Sequence, residues 1–206
     1  MRKFRDMISH RADTPRARLA SVLYTELVDH GLLRHLWTNE KEIDNGVIRS
    51  NHPTRRRLEK FKKSGGAAVL SLRGAMQMAQ NVLEIETCEK LGLEVISFPM
   101  ASSALPSKKI VLDLVEVLER APRPLMIHCK SGADRTGFVA GIYLMHFKGT
   151  SPKDAARQLT WRHAHNKFSK KAVLSEFFAL YQPAHEAGIG FLDWVRDSYD
   201  PGADAR

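Results

Sequence analysis

Cysteine is scarce in this chain: Cys88 and Cys129 are the only two, which excludes a disulfide-built scaffold. Two thiols without a framework suit a reducing compartment, where a lone cysteine in a suggestive context is a candidate nucleophile. Long apolar runs are missing as well. None approaches the ~18–20 residues that a membrane-spanning helix needs. Repeats and low-complexity tracts are absent, and with 43% hydrophobic and 27% charged residues the composition fits neither collagen nor a disordered chain. The 206 residues therefore suit one ordinary domain around a single sizeable core.

Acidic residues are the other shortage. Asp and Glu number 23 against 32 Lys and Arg, a net charge of +9, and such a surplus favours anionic partners. Residues 1–20 carry a local +4 and residues 52–63 a local +5, through Arg55, Arg56, Arg57, Lys60, Lys62 and Lys63 against Glu59. Solvated helix faces account for most runs of this kind. The N-terminus shows no apolar stretch of a secretory signal, and its Arg-rich start leaves an organelle transit peptide open. A nucleic-acid-binding role is disfavoured, because no basic run is interleaved with aromatics.

Helices alternate with short apolar runs along the chain. A helix is expected over residues 15–36 with a break at Gly31, then a short strand over 46–50 beside the Asn45-Gly46 turn. Pro53 is expected in the first turn of a basic helix that ends at Gly65-Gly66. Residues 67–72, 93–98 and 125–128 read as buried strands. Helices are expected over about 75–91, 107–120, 136–147, from Ser151-Pro152 onward, 169–182 and 189–199. Short strands without strict alternation, separated by helices, indicate a largely parallel sheet covered on both faces. The fold class is α/β, with a mostly parallel sheet of about four to five strands flanked by helices. The expected organisation is a basic, helical extension over 1–38 and one domain over 39–206.

The segment that carries chemistry runs from Leu125 to Gly137 and reads LMIHCKSGADRTG. It sets Cys129 at the end of a strand, Arg135 six positions later, and then a helix. Open α/β sheets bind ligands at that crevice. Backbone N–H groups of a tight loop converge as a nest for an oxyanion, and a helix N-terminus adds free N–H groups and its positive dipole end. Arg135 supplies a planar fork for two phosphate oxygens. A thiol in such surroundings is biased toward the thiolate. The whole is an anion cup with a nucleophilic sulfur at its base, suited to attack on a phosphomonoester.

The string His128-Cys129-Lys130-Ser131-Gly132-Ala133-Asp134-Arg135-Thr136-Gly137 resembles the Cys-x5-Arg protein tyrosine phosphatase superfamily, in its atypical dual-specificity-like branch. Outside the loop, residues 46–53 (GVIRSNHP), 69–73 and 91–99 also resemble that branch, so the likeness covers roughly residues 40–182. The resemblance implies a dual-specificity-phosphatase-like fold, a cysteinyl-phosphate intermediate and no cofactor or metal. It implies Cys129 as nucleophile, Arg135 as phosphate clamp, and Lys130, Ser131, Gly132, Ala133, Asp134 and Arg135 as the phosphate-binding cup. Thr136 would hydrogen-bond the sulfur, and His128 would orient the loop through its ring. The implied substrates are phosphotyrosine, phosphoserine or phosphothreonine proteins, or a phosphorylated lipid or small molecule. An anionic membrane surface is a further candidate contact, and the cytoplasm is the expected location.

Two positions depart from the usual pattern. The family commonly keeps an Asp on a loop about thirty residues before the Cys, yet residues 99–107 (PMASSALPS) hold no carboxylate. Asp134 is therefore the preferred general acid, with Asp113 expected to be solvated; a purely bracing role is the alternative. Lys130 directly after the nucleophile would add charge at the rim, together with Arg49 and the basic helix. His163 and His165, with Trp161, Arg162 and Lys167, are candidates for substrate contact, and Cys88 reads as core. The rival classes are a catalytically inactive phosphate-binding module and a sulfurtransferase on a similar Cys–loop–helix site.

Overall fold

The computed structural model describes residues 15–24, 37–74, 79–159 and 173–202. The basic stretch 1–14, residues 25–36 of the first expected helix, and the group Trp161, Arg162, His163, His165 and Lys167 lie outside the described residues.

Five strands form one sheet: β1 (Lys41–Asp44), β2 (Val47–Ser50), β3 (Ala68–Ser71), β4 (Glu94–Ser97) and β5 (Leu125–His128), in the order β1-β2-β5-β3-β4. All neighbours pair in parallel except β1 with β2. The mostly parallel α/β sheet expected from the chain is therefore present. The strand β1 has no counterpart in the sequence reading. Its residues Lys41, Glu42, Ile43 and Asp44 form no apolar run, and it is a charged edge strand. The two-residue Asn45-Gly46 turn joins it to β2, with Gly46 at φ +73°, as such hairpin turns require.

Eight α-helices occur among the described residues: α1 (Pro15–Leu23), α2 (Arg55–Lys63), α3 (Ala79–Leu91), α4 (Lys108–Arg120), α5 (Asp134–Lys148), α6 (Pro152–Ala155), α7 (Val173–Glu186) and α8 (Phe191–Asp197). A 3₁₀ turn, Ala156–Gln158, follows α6. Ser107 caps α4 by accepting from the Ile110 N–H at 3.3 Å, and Ser151 caps α6 through the Asp154 N–H at 3.2 Å. Pro53 precedes the N-cap residue Thr54 of α2 rather than entering its first turn. β2 ends at Ser50, and the chain bends at Asn51 and His52, whose N–H groups bond the Thr38 and Lys130 carbonyls, before the helix starts.

Alternation along the strands divides the interior. Leu70, Leu125 and Ile127 face the larger core with Val111, Leu114 and Leu118 of α4 and Phe138, Val139 and Ile142 of α5. Phe177, Phe178, Tyr181, Phe191, Trp194 and Tyr199 extend that core as an edge-to-face aromatic cluster, with Phe177 about 5 Å from Phe138, Trp194 and Tyr199. Val69 and Met126 face the other way, onto Leu58 and Phe61 of α2 and Cys88 of α3. Cys88 is thus core, as expected, and burial, then Glu84 and Glu89, push its thiol up to about 12. It lies in the smaller cluster and Cys129 in the larger.

Candidate active site

β5 is the central strand, and Ser50 of β2 and Ser71 of β3 stand level with His128 on either side. Cys129 is therefore the first residue beyond the middle of the sheet, flanked by the ends of two parallel strands. It is 2% exposed and unpaired. The loop then turns through Gly132, at φ +71°. A Cβ there would lie 2.7 Å from the Asn51 nitrogen and from the Ser50 carbonyl carbon and oxygen. Glycine is required on both counts, conformation and space.

Helix α5 begins at Asp134, two residues before the expected start, with the Gly137 N–H bonded to the Ala133 carbonyl at 2.9 Å. Asp134 and Arg135 consequently sit in the first helical turn rather than in the loop. Asp134 is buried. Arg135 is half-buried, and its Nη1 donates to the Leu72 carbonyl beyond β3 at 2.9 Å. That bond draws the guanidinium across the end of the central strand. Lys130 and Ser131 are partly exposed, and Ala133 is buried. Thr136 is fully buried, and its Oγ1 has no hydrogen-bond partner among the described residues, so the bond to sulfur expected of it is not formed here.

The stretch 99–107 is described in full and contains no acid. Asp113 lies on α4, 44% exposed and paired with Lys109 at 2.6 Å, which matches the solvated role expected of it. Arg49 and α2 were expected to extend a positive field at the rim. Arg49 is instead wholly buried. Arg57 is tied to Glu40 at 2.7 Å and bonds Asn51 and Ser50, and Arg55 pairs with Glu59. The local +5 of the sequence is thus partly spent within the fold, where Arg57 meets Glu40 from 17 positions away.

One cluster was not visible in the sequence. His128 points to the smaller core, where its Nε2 lies 2.7 Å from Glu84 Oε1 of α3. His52 approaches the same carboxylate oxygen at 3.9 Å and meets the His128 ring edge-on, centroids 5.1 Å apart. Burial opposes the Glu84 charge, but His128, His52 and Arg73 overcome it and hold the carboxyl down at about 2. The ligand atoms of His52, Glu84 and His128 lie within 4.8 Å of one another, the arrangement among the described residues that could hold a metal ion. The close His128–Glu84 pair and the neighbouring Arg73 charge favour a structural anchor for the His128 ring.

Glu84→Gln should therefore lower stability by about 3–5 kcal/mol, the usual result of breaking a buried pair, or on the order of 10 °C in melting temperature. The folded-state pKa lies below the ordinary 4.5. The carboxylate's stabilisation is thus complete above about pH 4.5 and fades as pH falls toward 2. The gap between wild type and variant should narrow over that window in acid-unfolding curves, and a constant gap would refute the ion-pair account.

The chain as a whole is similar to known phosphatases. A family model described as "DSP-PTPase phosphatase fused to NAD+ Kinase" matches residues 30–176. The dual specificity protein phosphatase CDC14B of Mus musculus is 35% identical over 65 residues. That match spans 31% of this chain and only 12% of the mouse protein. Among solved structures, Tk-PTP in its active form is 26% identical with a TM-score of 0.54, covering 69% of this chain and 98% of that one. The core catalytic domain of the PP-IP phosphatase SIW14 from S. cerevisiae shares the fold at 19% identity, with a TM-score of 0.57 over 73% of this chain and 89% of that one. With the family model matching most of its length and these phosphatases sharing its fold, the chain belongs to the DSP-PTPase family, the dual-specificity class of protein tyrosine phosphatase hydrolases.

Proposed function

We propose that the chain is a metal-independent phosphomonoesterase working through a cysteinyl-phosphate on Cys129. One observation carries this reading: the thiol sits at the end of the central strand, with the loop 130–133 leading straight into the N-terminus of α5 and Arg135 in its first turn. In the first step the thiolate attacks phosphorus, an S–P bond forms, and the P–O bond to the leaving group breaks. Asp134 gives its proton to the departing oxygen. In the second step water attacks phosphorus, the S–P bond breaks, and the water proton returns to the Asp134 carboxylate. Inorganic phosphate leaves and the thiolate is restored. The backbone N–H groups of the loop and the Arg135 fork hold the phosphoryl oxygens throughout. His128, anchored on Glu84, orients the loop.

The proposed substrates are phosphorylated proteins or phosphorylated lipids, with Lys130 at the rim favouring multiply anionic groups. No helix among the described residues is long and apolar enough to cross a membrane, and two unpaired thiols support a cytoplasmic setting. The domain is taken as residues 39–206 with 1–38 as an extension. A phosphate-release screen over phosphopeptides, phosphoinositides and sugar phosphates separates the substrate classes.

The test of the activity is turnover of an aryl phosphate in excess chelator. Arg135→Lys should retain less than about a hundredth of it, because a point charge cannot replace the bidentate fork. No turnover by wild type, with tight phosphate binding, would make the chain an inactive binding module. Sulfur transfer from thiosulfate would make it a sulfurtransferase.

A further inference from the structure

An anion cup built of backbone N–H groups needs those groups to converge, and convergent N–H dipoles repel one another. In each planar peptide the carbonyl of one residue points opposite to the N–H of the next. Whatever holds the carbonyls on the outside therefore holds the amides on the inside. In this loop three consecutive carbonyls are held by donors from elsewhere in the chain. The Lys130 carbonyl accepts from the His52 N–H at 3.2 Å. The Ser131 carbonyl accepts from Asn39 Nδ2 at 3.1 Å. The Gly132 carbonyl accepts from Arg49 Nη2 at 2.6 Å.

Arg49 is the unusual member. Its side chain rises from β2 with no exposure to solvent, and its Nη1 also bonds the carbonyl and the side-chain oxygen of Gln158, at 2.9 and 2.6 Å. All of these acceptors are neutral, and among the described residues it forms no pair with a carboxylate. Burying a guanidinium on carbonyls alone is unfavourable. Desolvation pulls Arg49 down to about 10, and the Cys129 charge works against that fall. Its fork closes on the Gly132 carbonyl, three residues after Cys129, and this sets the buried cation beside the loop that carries the thiol.

We propose that Arg49 and Asn39 are positioning residues of the phosphate site: they hold the outer carbonyls of the loop so that the Ser131 and Gly132 amides, and the Ala133 amide that now donates to Ser131 Oγ at 3.4 Å, face the phosphate, and Arg49 sets a buried positive charge behind the loop. The inference rests on the cysteinyl-phosphate reading. The other charged groups around the loop, Lys130, Asp134, Arg135, Arg73 and the His52–Glu84–His128 cluster, are unchanged in the variants below and cancel in the comparison. The two roles separate experimentally, because a lysine at position 49 keeps the charge and loses the fork.

The experiment measures the pH dependence of iodoacetamide alkylation at Cys129, by mass of its peptide, and the affinity for inorganic phosphate. Arg49→Met should move the alkylation midpoint upward by about one pH unit and weaken phosphate binding on the order of tenfold. Arg49→Lys should keep the midpoint near wild type while weakening phosphate binding. Asn39→Ala should weaken phosphate binding with the midpoint unmoved. Wild-type midpoint and affinity in Arg49→Met would overturn the proposal. Should that variant fail to fold by circular dichroism, wild-type phosphate affinity in both Arg49→Lys and Asn39→Ala would overturn it instead. Full turnover by Cys129→Ser would remove the cysteinyl-phosphate reading, a failure distinct from that of the brace.

Discussion

Cys129→Ser should give a folded protein that has lost essentially all phosphate release. The substitution exchanges sulfur for oxygen at a position 2% exposed, a change small enough for the core around β5 and α5 to keep its packing. Chemistry suffers far more. A thiol ionises near ~8.5 before any help from its surroundings, whereas a serine hydroxyl in the same cup stays protonated and needs a base. His128, its neighbour in the chain, does not serve as that base: it turns to the opposite face of the sheet, with Nε2 2.7 Å from Glu84. The cup itself is backbone and Arg135, so the variant should still bind inorganic phosphate with wild-type affinity. Loss of turnover with retained binding is the expected result, measured by phosphate release and by calorimetric titration. Retained turnover would end the covalent mechanism.

Asp134→Asn should slow hydrolysis by about 10²–10⁴-fold for alkyl phosphates and other poor leaving groups, and little for activated aryl esters. Expelling an alkoxide near neutral pH is unfavourable unless a placed acid supplies its proton. The loop at 99–107, where relatives of this class commonly keep that acid, contains none. Asp113 is held by Lys109 on the outer side of α4. Asp134 is buried in the first turn of α5, one residue from the phosphate clamp. An acid that must be protonated for the first step gives the pH–rate profile its basic arm, so that arm should flatten in the Asn variant. Equal loss across the leaving-group series would point to damage to the loop instead. Full activity on poor leaving groups would remove Asp134 from the mechanism.

The division of labour between chain and fold follows the distance over which each feature is encoded. The string from His128 to Gly137 is contiguous, so the strand end, the turn, the helix start and the residue types that line a cup can all be read from neighbouring letters. The cap at Ser151 is legible for the same reason: it accepts from an N–H three residues away. The core strands and the stripe of α4 announce themselves by local periodicity. The sequence thus determined the α/β class and the placing of Cys129 and Arg135 on one strand–loop–helix segment.

Only the tertiary structure decided what holds that cup. The strand β1 carries no apolar pattern and exists because β2 offers it an edge. Helix α5 starts at Asp134, which sets Asp134 and Arg135 in a helical turn rather than in the loop. Asn39 reaches Ser131 across 92 positions and Arg49 reaches Gly132 across 83. Contacts at such separations leave no periodicity or spacing to detect, since neither partner's neighbours constrain the other. The charge count illustrates the same limit. A sum of Lys and Arg in a window measures what a segment carries, while burial of Arg49 and pairing of Arg57 with Glu40 depend on what the fold brings against it.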